Sequence, residues 1–134
     1  MKCARFAALL VAATLVSSLV APAVAQAQTA SQFYTAYRAA FDKAKKIEDL
    51  IPYLSKTTVD QVNSTPAADR PKMFEMMKMM GTITNLKILK ETKSATGASL
   101  SVEALDTDKK KTTGTVDVVK EDGAWKIGSE SWSS

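Results

Sequence analysis

The stretch Val118-Val-Lys-Glu-Asp-Gly-Ala-Trp-Lys-Ile-Gly128 decides the fold. At its centre is Asp122-Gly123, a dipeptide that suits the two positive φ angles of a type I′ hairpin turn. The alternating apolar and polar residues on both sides predict two antiparallel strands joined by this turn. Counting outward from the turn pairs Val116 with Ser129. One face of the hairpin then collects the residues that we expect to contact helices, which are Val116, Val118, Trp125 and Ile127.

The rest of the C-terminal half also has the period of two that strands require. Four runs predict strands, at about 83–92, 98–106, 111–120 and 124–131, and their short connections imply an antiparallel meander. The parity of the hairpin adds four more residues to the helix-facing side, which are Leu86, Ile88, Leu100 and Val102. On the opposite side, apolar residues lie among the charged ones: Leu89, Leu105, Val119 and Trp132. Because an aromatic residue in an apolar surface is a common interface anchor, these four predict a homodimer or partner contact.

The residues before Gly81 have the period of a helix instead. A first helix follows Ser31, its predicted N-cap, with an apolar stripe of Phe33, Tyr37, Ala40, Phe41 and Ala44. Pro52 predicts a turn or kink, and the next helix opens near Thr65-Pro66 or Asp69-Arg70-Pro71 and ends at a left-handed Gly81. Helices followed by strands are typical of the α+β class, here with helices packed on one face of a curved four-stranded antiparallel sheet.

The N-terminus has the pattern of a secretory signal peptide. Lys2 and Arg5 precede an apolar run over residues 6–20, and small-residue triplets follow Pro22. The alternative is a retained membrane helix, but a bilayer span needs about 20 apolar residues and this run is shorter. We therefore expect a periplasmic or secreted bacterial protein with no stable membrane anchor after cleavage.

Cleavage would leave a single domain without cysteine. The predicted divisions are a signal peptide over 1–25 with cleavage after Ala25 or Ala27, a flexible leader over 26–30, and one α+β domain over 31–134. Cys3 precedes the apolar run, whereas a lipoprotein acceptor cysteine would follow it. The signal peptide contains two basic and no acidic residues, so its removal lowers the formal charge of +4 by two.

The composition argues against most enzymes. The chain has no histidine, which excludes a Ser-His-Asp triad, a histidine-ligated zinc and an imidazole general base. We predict no catalytic residue, no metal site and no cofactor. The small positive charge gives no reason to expect nucleic acid as a partner, and Lys109-Lys110-Lys111 lies beside acidic residues, as in a solvated turn.

A methionine-rich segment, Met73-Phe-Glu-Met-Met-Lys-Met-Met80, contains every methionine that would remain after cleavage. Thioethers can bind Cu(I) in an oxidising compartment, which makes copper handling an open alternative. However, Met73, Met76, Met77 and Met80 have the i, i+3, i+4, i+7 spacing of a buried helix face, and methionine fills irregular cores well. We prefer core packing, because copper sites usually add histidine or cysteine.

The succession of these segments resembles the nuclear transport factor two-like superfamily. The resemblance lies in the aromatic first helix, in Ile47-Glu-Asp-Leu-Ile-Pro-Tyr-Leu-Ser55, in the methionine-rich helix and in the closing hairpin. It is greatest to small exported bacterial members without an assigned activity. The resemblance implies a curved sheet wrapped around helices, forming a cone with an apolar pocket, often in a dimer. Members include isomerases, dehydratases, cyclases and non-catalytic binding domains.

These observations predict an exported, non-catalytic domain that binds a small apolar molecule in its cone or contacts a protein through its sheet. The residues expected to line the pocket are Tyr37, Tyr53, Met76, Met80, Val102, Val118 and Trp125. The alternative is a histidine-free isomerase or lyase that combines a tyrosine with a buried carboxylate such as Asp42, Asp49 or Asp60.

Overall fold

The computed structural model describes residues 28–134, in which three helices precede a four-stranded antiparallel sheet. The predicted signal peptide and both cleavage positions lie outside these residues. The helices are α1 (Ala30–Lys43), α2 (Lys56–Ser64) and α3 (Arg70–Gly81), and two 3-10 turns, Ile47–Asp49 and Ile51–Tyr53, follow α1. The strands, which pair in chain order, are β1 (Thr84–Lys93), β2 (Gly97–Leu105), β3 (Lys111–Glu121) and β4 (Ala124–Ser133). This order confirms the predicted α+β class.

The turn between β3 and β4 has the predicted geometry. Asp122 and Gly123 have φ angles of 51° and 76°, the positive values that a type I′ turn needs. Val118 consequently lies opposite Ile127, and both side chains are buried against the helices. The hairpin therefore presents its apolar face to the helical layer, as the sequence predicts.

Beyond Ile127, the predicted register is wrong by one residue. Asp117 pairs with Ser129 while Val118 pairs with Ile127, so Gly128 is an extra residue that forms a bulge in β4. As a result, Val116 lies opposite Glu130. A one-residue shift exchanges the two faces of a strand, so Glu130 and Trp132 lie on the helix-facing side. Trp132 packs against the core cluster, which corrects its predicted place on the outer face.

A second bulge has the same effect in β1. Ile88 pairs with Val102 and Lys90 with Ser101, which leaves Leu89 as the extra residue, 59% exposed. After this bulge Glu91 lies opposite the buried Leu100 and hence on the inner face. One carboxylate oxygen of Glu91 accepts hydrogen bonds from the backbone N–H of Ser31 at 2.9 Å and from its hydroxyl at 3.1 Å. The bulge thus brings an acidic side chain to the N-terminus of α1, where negative charge is favourable.

Helix α1 begins earlier than the sequence indicates. Its N-cap is Thr29, which forms a capping box with Gln32, so Ser31 is already inside the helix. Ala30 is buried, and residues 28–30 therefore belong to the folded domain rather than to a flexible leader. The side chains that α1 buries are Phe33, Tyr34, Tyr37, Arg38 and Phe41. The burial of Arg38 departs from the predicted stripe, which placed this residue off the apolar face.

Helix α3 buries a different face from the predicted one. Phe74 is its buried anchor, with Met73 and Met77 packed partly against the core, whereas Met76 and Met80 are 53% and 82% exposed. A buried phenylalanine removes more apolar area from water than a buried methionine does. Burial of Phe74 therefore sets the rotation of the helix.

The C-terminal end of α3 packs closely on α1. The ammonium nitrogen of Lys78 lies over the Phe41 ring, 4.8 Å from its centre, and donates hydrogen bonds to the carbonyl oxygens of Phe41 and Asp42. Gly81 does not adopt the predicted left-handed conformation. Its lack of a side chain matters for another reason, because a Cβ there would lie 2.8 Å from the Phe41 ring.

The core lies between α1 and the inner face of the sheet. Its fully buried larger side chains are Tyr34, Leu50, Leu100, Val102, Val116 and Val118. The segment after the 3-10 turns also docks on the sheet, since the Ser55 N–H donates to the Ile127 carbonyl at 3.0 Å. Within residues 28–134, no helix is long and apolar enough to cross a membrane.

Candidate functional site

A buried ion pair lies between α1 and β4. Arg38 donates to Glu130 at 3.0 Å and to the Gly81 carbonyl at 2.5 Å, and both charged side chains are at least five-sixths buried. Trp132 donates from its indole N–H to the same Glu130 oxygen at 2.7 Å. Space for this indole comes from Gly114 in β3, where a Cβ would lie 2.9 Å from the ring. The bulge at Gly128 places both β4 side chains on the helix-facing side, where Glu130 meets Arg38.

Two tyrosines surround this ion pair. Burial, with a smaller contribution from the Glu130 charge, raises the pKa of Tyr37 to about 12, and the same causes raise the pKa of Tyr34 further above its usual value. Within the described residues, the Tyr34 hydroxyl, Arg38 Nε and Glu130 Oε2 are buried without a hydrogen-bond partner. Both phenols therefore stay protonated over the ordinary pH range.

The acid in the interior, Glu130, is not one of the predicted candidates. The three predicted carboxylates, Asp42, Asp49 and Asp60, are exposed. Glu130 was missed because the predicted register placed it on the outer face. Gly128 was the available signal, since a glycine inside a strand often marks a bulge.

The Arg38–Glu130 cluster is not reached by any of five clefts that the described residues form. These clefts are lined by other residues, and Tyr34, Arg38 and Glu130 line none of them. A catalytic pair needs a cavity in which substrate atoms come within hydrogen-bond reach. We therefore interpret this cluster as part of the packed interior.

The residues predicted to line one pocket are not brought together. Tyr37, Val102 and Val118 are buried in the packed core. Met76 and Met80 lie in solvent on α3. Tyr53 and Trp125 do meet, but in a cleft at the surface.

Two wide clefts share Trp125 and Lys120 in their lining. The first, of about 440 Å³, is lined by Gln28, Phe33, Ala36, Pro52, Tyr53, Lys120, Gly123, Ala124, Trp125 and Lys126. The second, of about 510 Å³, is lined by Lys93, Ser94, Ala95, Thr96, Gly97, Lys120 and Trp125. A smaller opening of about 130 Å³, which shares Gln28, Lys93, Lys120 and Trp125 with them, lies between. We call these three adjoining openings the Trp125 cleft.

Two contacts hold the indole ring of Trp125 in place. Its indole N–H donates to the Gln28 carbonyl at 2.6 Å, and the Lys120 ammonium lies 4.8 Å from the ring centre. The turn before β2 closes the far side, because Lys120 N–H donates to the Thr96 carbonyl at 3.0 Å. The half-buried indole is thus a fixed wall with clefts on either side.

The lining of the cleft is positively charged. Lys93, Lys120 and Lys126 all contribute, and within residues 28–134 none of them forms an ion pair with a carboxylate. Lys126 is fixed by a hydrogen bond of 2.6 Å to the Pro52 carbonyl. The acid in the lining, Glu91, is already bonded to Ser31. The three lysines outnumber this carboxylate, and the resulting net positive charge favours an anion.

The four residues predicted to form an interface do not share one surface. Leu89 is exposed at its bulge, Leu105 and Val119 are half-buried, and Trp132 lies on the inner face beside Glu130. The outer face predicted to form a dimer contact therefore does not contain Trp132, its predicted aromatic anchor.

The fold and the clefts define a small α+β domain with wide openings at one end of its sheet, outside the core. The chain belongs to the family described as Domain of unknown function (DUF4878), which matches residues 27–128. The match includes every residue of the Trp125 cleft and stops before Glu130. Neither the curated proteins nor the solved structures gave a match to the chain.

Proposed function

We propose that this domain is a non-catalytic binding module and that it holds an anionic ligand with an aromatic or apolar group in the Trp125 cleft. The observation that carries the proposal is the presence of three lysines without carboxylate partners around a fixed indole. The cationic groups would bind the anion, and the indole would contact the apolar part. Export to the periplasm or the medium remains part of the proposal.

The shape of the cleft supports a small ligand. Its two larger openings have the volumes of ordinary small-molecule sites, which span about 300–1,000 Å³. Phe33 and Tyr53, whose ring centres are 6.2 Å apart, line the first opening together with Trp125 and add aromatic surface to it. Aromatic walls with a few placed polar groups are typical of binding sites for organic molecules.

The enzymatic alternative has less support. It would use Tyr34 or Tyr37 with Glu130, but Glu130 is bonded to Arg38 and Trp132, and no described cleft reaches it. Reaction there would require the core to open. Membership of the nuclear transport factor two-like superfamily stays a prediction.

Two probes with the same ring and opposite charge test this proposal. 1-Naphthalenesulfonate and 1-naphthylmethylammonium are titrated into the protein by isothermal titration calorimetry. We expect the sulfonate to bind at least about tenfold more tightly, because only the anion gains from the lysines. Equal affinities for the two probes would contradict the proposed ligand class.

Matched variants locate the binding. Lys93→Gln with Lys120→Gln should reduce the preference for the anion, since only Lys126 remains. Lys110→Gln should leave the preference unchanged, because Lys110 is an exposed residue in the distant turn between β2 and β3. Trp125→Leu should lower the affinity for both probes, because it removes the aromatic ring. Leucine keeps apolar bulk at this position. Unchanged sulfonate binding by Trp125→Leu, with a native circular dichroism spectrum, would place the site elsewhere.

A further inference from the structure

Three methionines of α3 lie in solvent without a packing role. Met76, Met79 and Met80 are 53%, 73% and 82% exposed. The helix is anchored to the core by Phe74, together with Met73 and Met77. Core packing therefore explains two of the five methionines in this helix and leaves three thioethers unexplained.

These three residues share one face of the helix. Their spacing is i, i+3, i+4, which places their Cβ atoms about 5–6 Å apart. Two rotatable bonds, Cα–Cβ and Cβ–Cγ, place each sulfur atom, so the three sulfur atoms can converge on one point above the helix. Soft sulfur ligands select Cu(I) over the harder divalent ions. We propose that Met76, Met79 and Met80 form a surface site for one Cu(I) ion, bound by three thioether sulfurs.

The helix that carries the site is fixed at both ends. Arg70 donates from Nε to the Thr65 carbonyl at 3.1 Å near the start, and Lys78 donates to the Asp42 carbonyl at 3.2 Å near the end. The backbone geometry of the methionine face is thus set before any ion binds, which lowers the cost of ordering the ligands.

The surroundings of the site offer few hard ligands. Among residues 28–134 no group of three or more histidines, cysteines and carboxylates is placed to hold a metal. The neighbouring charges are Lys72, four residues before Met76, and Glu75, four residues before Met79, and they offset each other. Selectivity for Cu(I) therefore comes from the three thioether ligands.

The test is an anaerobic calorimetric titration with Cu(I), kept soluble by acetonitrile, and a parallel titration with Ag(I) as a redox-stable substitute. The protein is recovered from an exporting host in a Cys3→Ser background, so that no thiolate contributes whichever N-terminus it has. We expect one ion per chain, with a dissociation constant below about 1 µM. Ag(I) should also shift the ε-methyl NMR signals of Met76, Met79 and Met80 and leave those of Met73 and Met77 in place.

The decisive variant replaces Met76, Met79 and Met80 by leucine, which keeps helix propensity and apolar area but removes sulfur. Its affinity should fall at least about tenfold, while Met73→Leu with Met77→Leu should bind like the wild type. Circular dichroism establishes that each variant is folded. No binding tighter than about 1 µM, or equal binding by the triple leucine variant, would overturn the proposal.

Discussion

At the scale of single residues, the Arg38–Glu130 pair has the largest expected effect on stability. Both side chains are buried, so removing one charge leaves the other without a partner in the interior. Glu130→Gln should lower the free energy of unfolding by about 3–5 kcal/mol, as measured by urea denaturation.

A double-mutant cycle separates this pair from general packing. Arg38→Met combined with Glu130→Leu replaces both charges with apolar groups, and its loss should be smaller than the sum of the single losses by at least about 1 kcal/mol. Additive losses would show that the two side chains do not act as a pair.

The tyrosines beside this pair predict a loss of stability in alkali. Burial raises the pKa of Tyr37 from 10.0 to about 12, so the folded state holds the phenolic proton more tightly than the unfolded state. The resulting stabilisation is complete below pH 10 and is lost as the pH rises from 10 to 12, by about 3 kcal/mol for Tyr37. Tyr34 acts in the same direction.

Urea denaturation at several pH values in this window checks the prediction. The free energy of unfolding should fall with pH less steeply in Tyr37→Phe than in the wild type, because the variant has no phenol to ionise there. Parallel slopes for the two proteins would mean that Tyr37 titrates alike in the folded and unfolded states.

At the scale of elements, close backbone contact at Gly97 fixes the start of β2. A Cβ at Gly97 would lie 2.0 Å from the Val118 carbonyl oxygen and 2.9 Å from the Val119 Cα, both in the backbone of β3. Gly97→Ala should therefore cost about 3 kcal/mol. Gly123→Ala is the matched control, since nothing lies within 4 Å of its Cβ and only the positive φ is unfavourable, at about 1 kcal/mol. Equal losses in thermal or urea unfolding would contradict this ranking.

Local sequence patterns predicted the helices and strands well, but they predicted the register between paired strands less well. The Asp122-Gly123 turn and the four strands are encoded by neighbouring residues, and they lie within a few residues of their predicted places. The bulges at Leu89 and Gly128 are different, because an extra residue becomes visible only when the partner strand is known. Each bulge exchanges the faces of the residues after it, which is why Glu130 was not predicted inside the domain.

Helix α3 illustrates a second limit. Its many methionines support several apolar stripes of similar quality, so periodicity alone does not select one. Contact between Phe74 and the core, together with Lys78 over the Phe41 ring, selects the observed rotation. These are tertiary contacts, and neighbouring residues in the sequence do not encode them.

At the scale of the whole molecule, the candidate site lies where the two hairpin turns meet the start of α1. The aromatic residues Tyr53 and Trp125 were predicted to line a pocket, but the lysines around them were not. Lys120 and Lys126 belong to one hairpin, but Lys93 is distant from them in the sequence, and only the pairing of β1 with β2 and of β2 with β3 brings it to the same end of the sheet. The interior that the sequence predicts to be hollow is instead filled by large side chains and the Arg38–Glu130 pair.

The central claim is that this domain binds outside its core, and mapping a bound probe by NMR tests it most directly. Backbone amide and methyl signals of the isotope-labelled protein are followed during titration with 1-naphthalenesulfonate. We predict that the shifts concentrate on Tyr53, Lys93, Lys120 and Trp125, while the methyl groups of Val102 and Val118 stay in place. Large shifts at Val102 and Val118 with none at the Trp125 cleft would show that the ligand enters the interior, and would contradict this account.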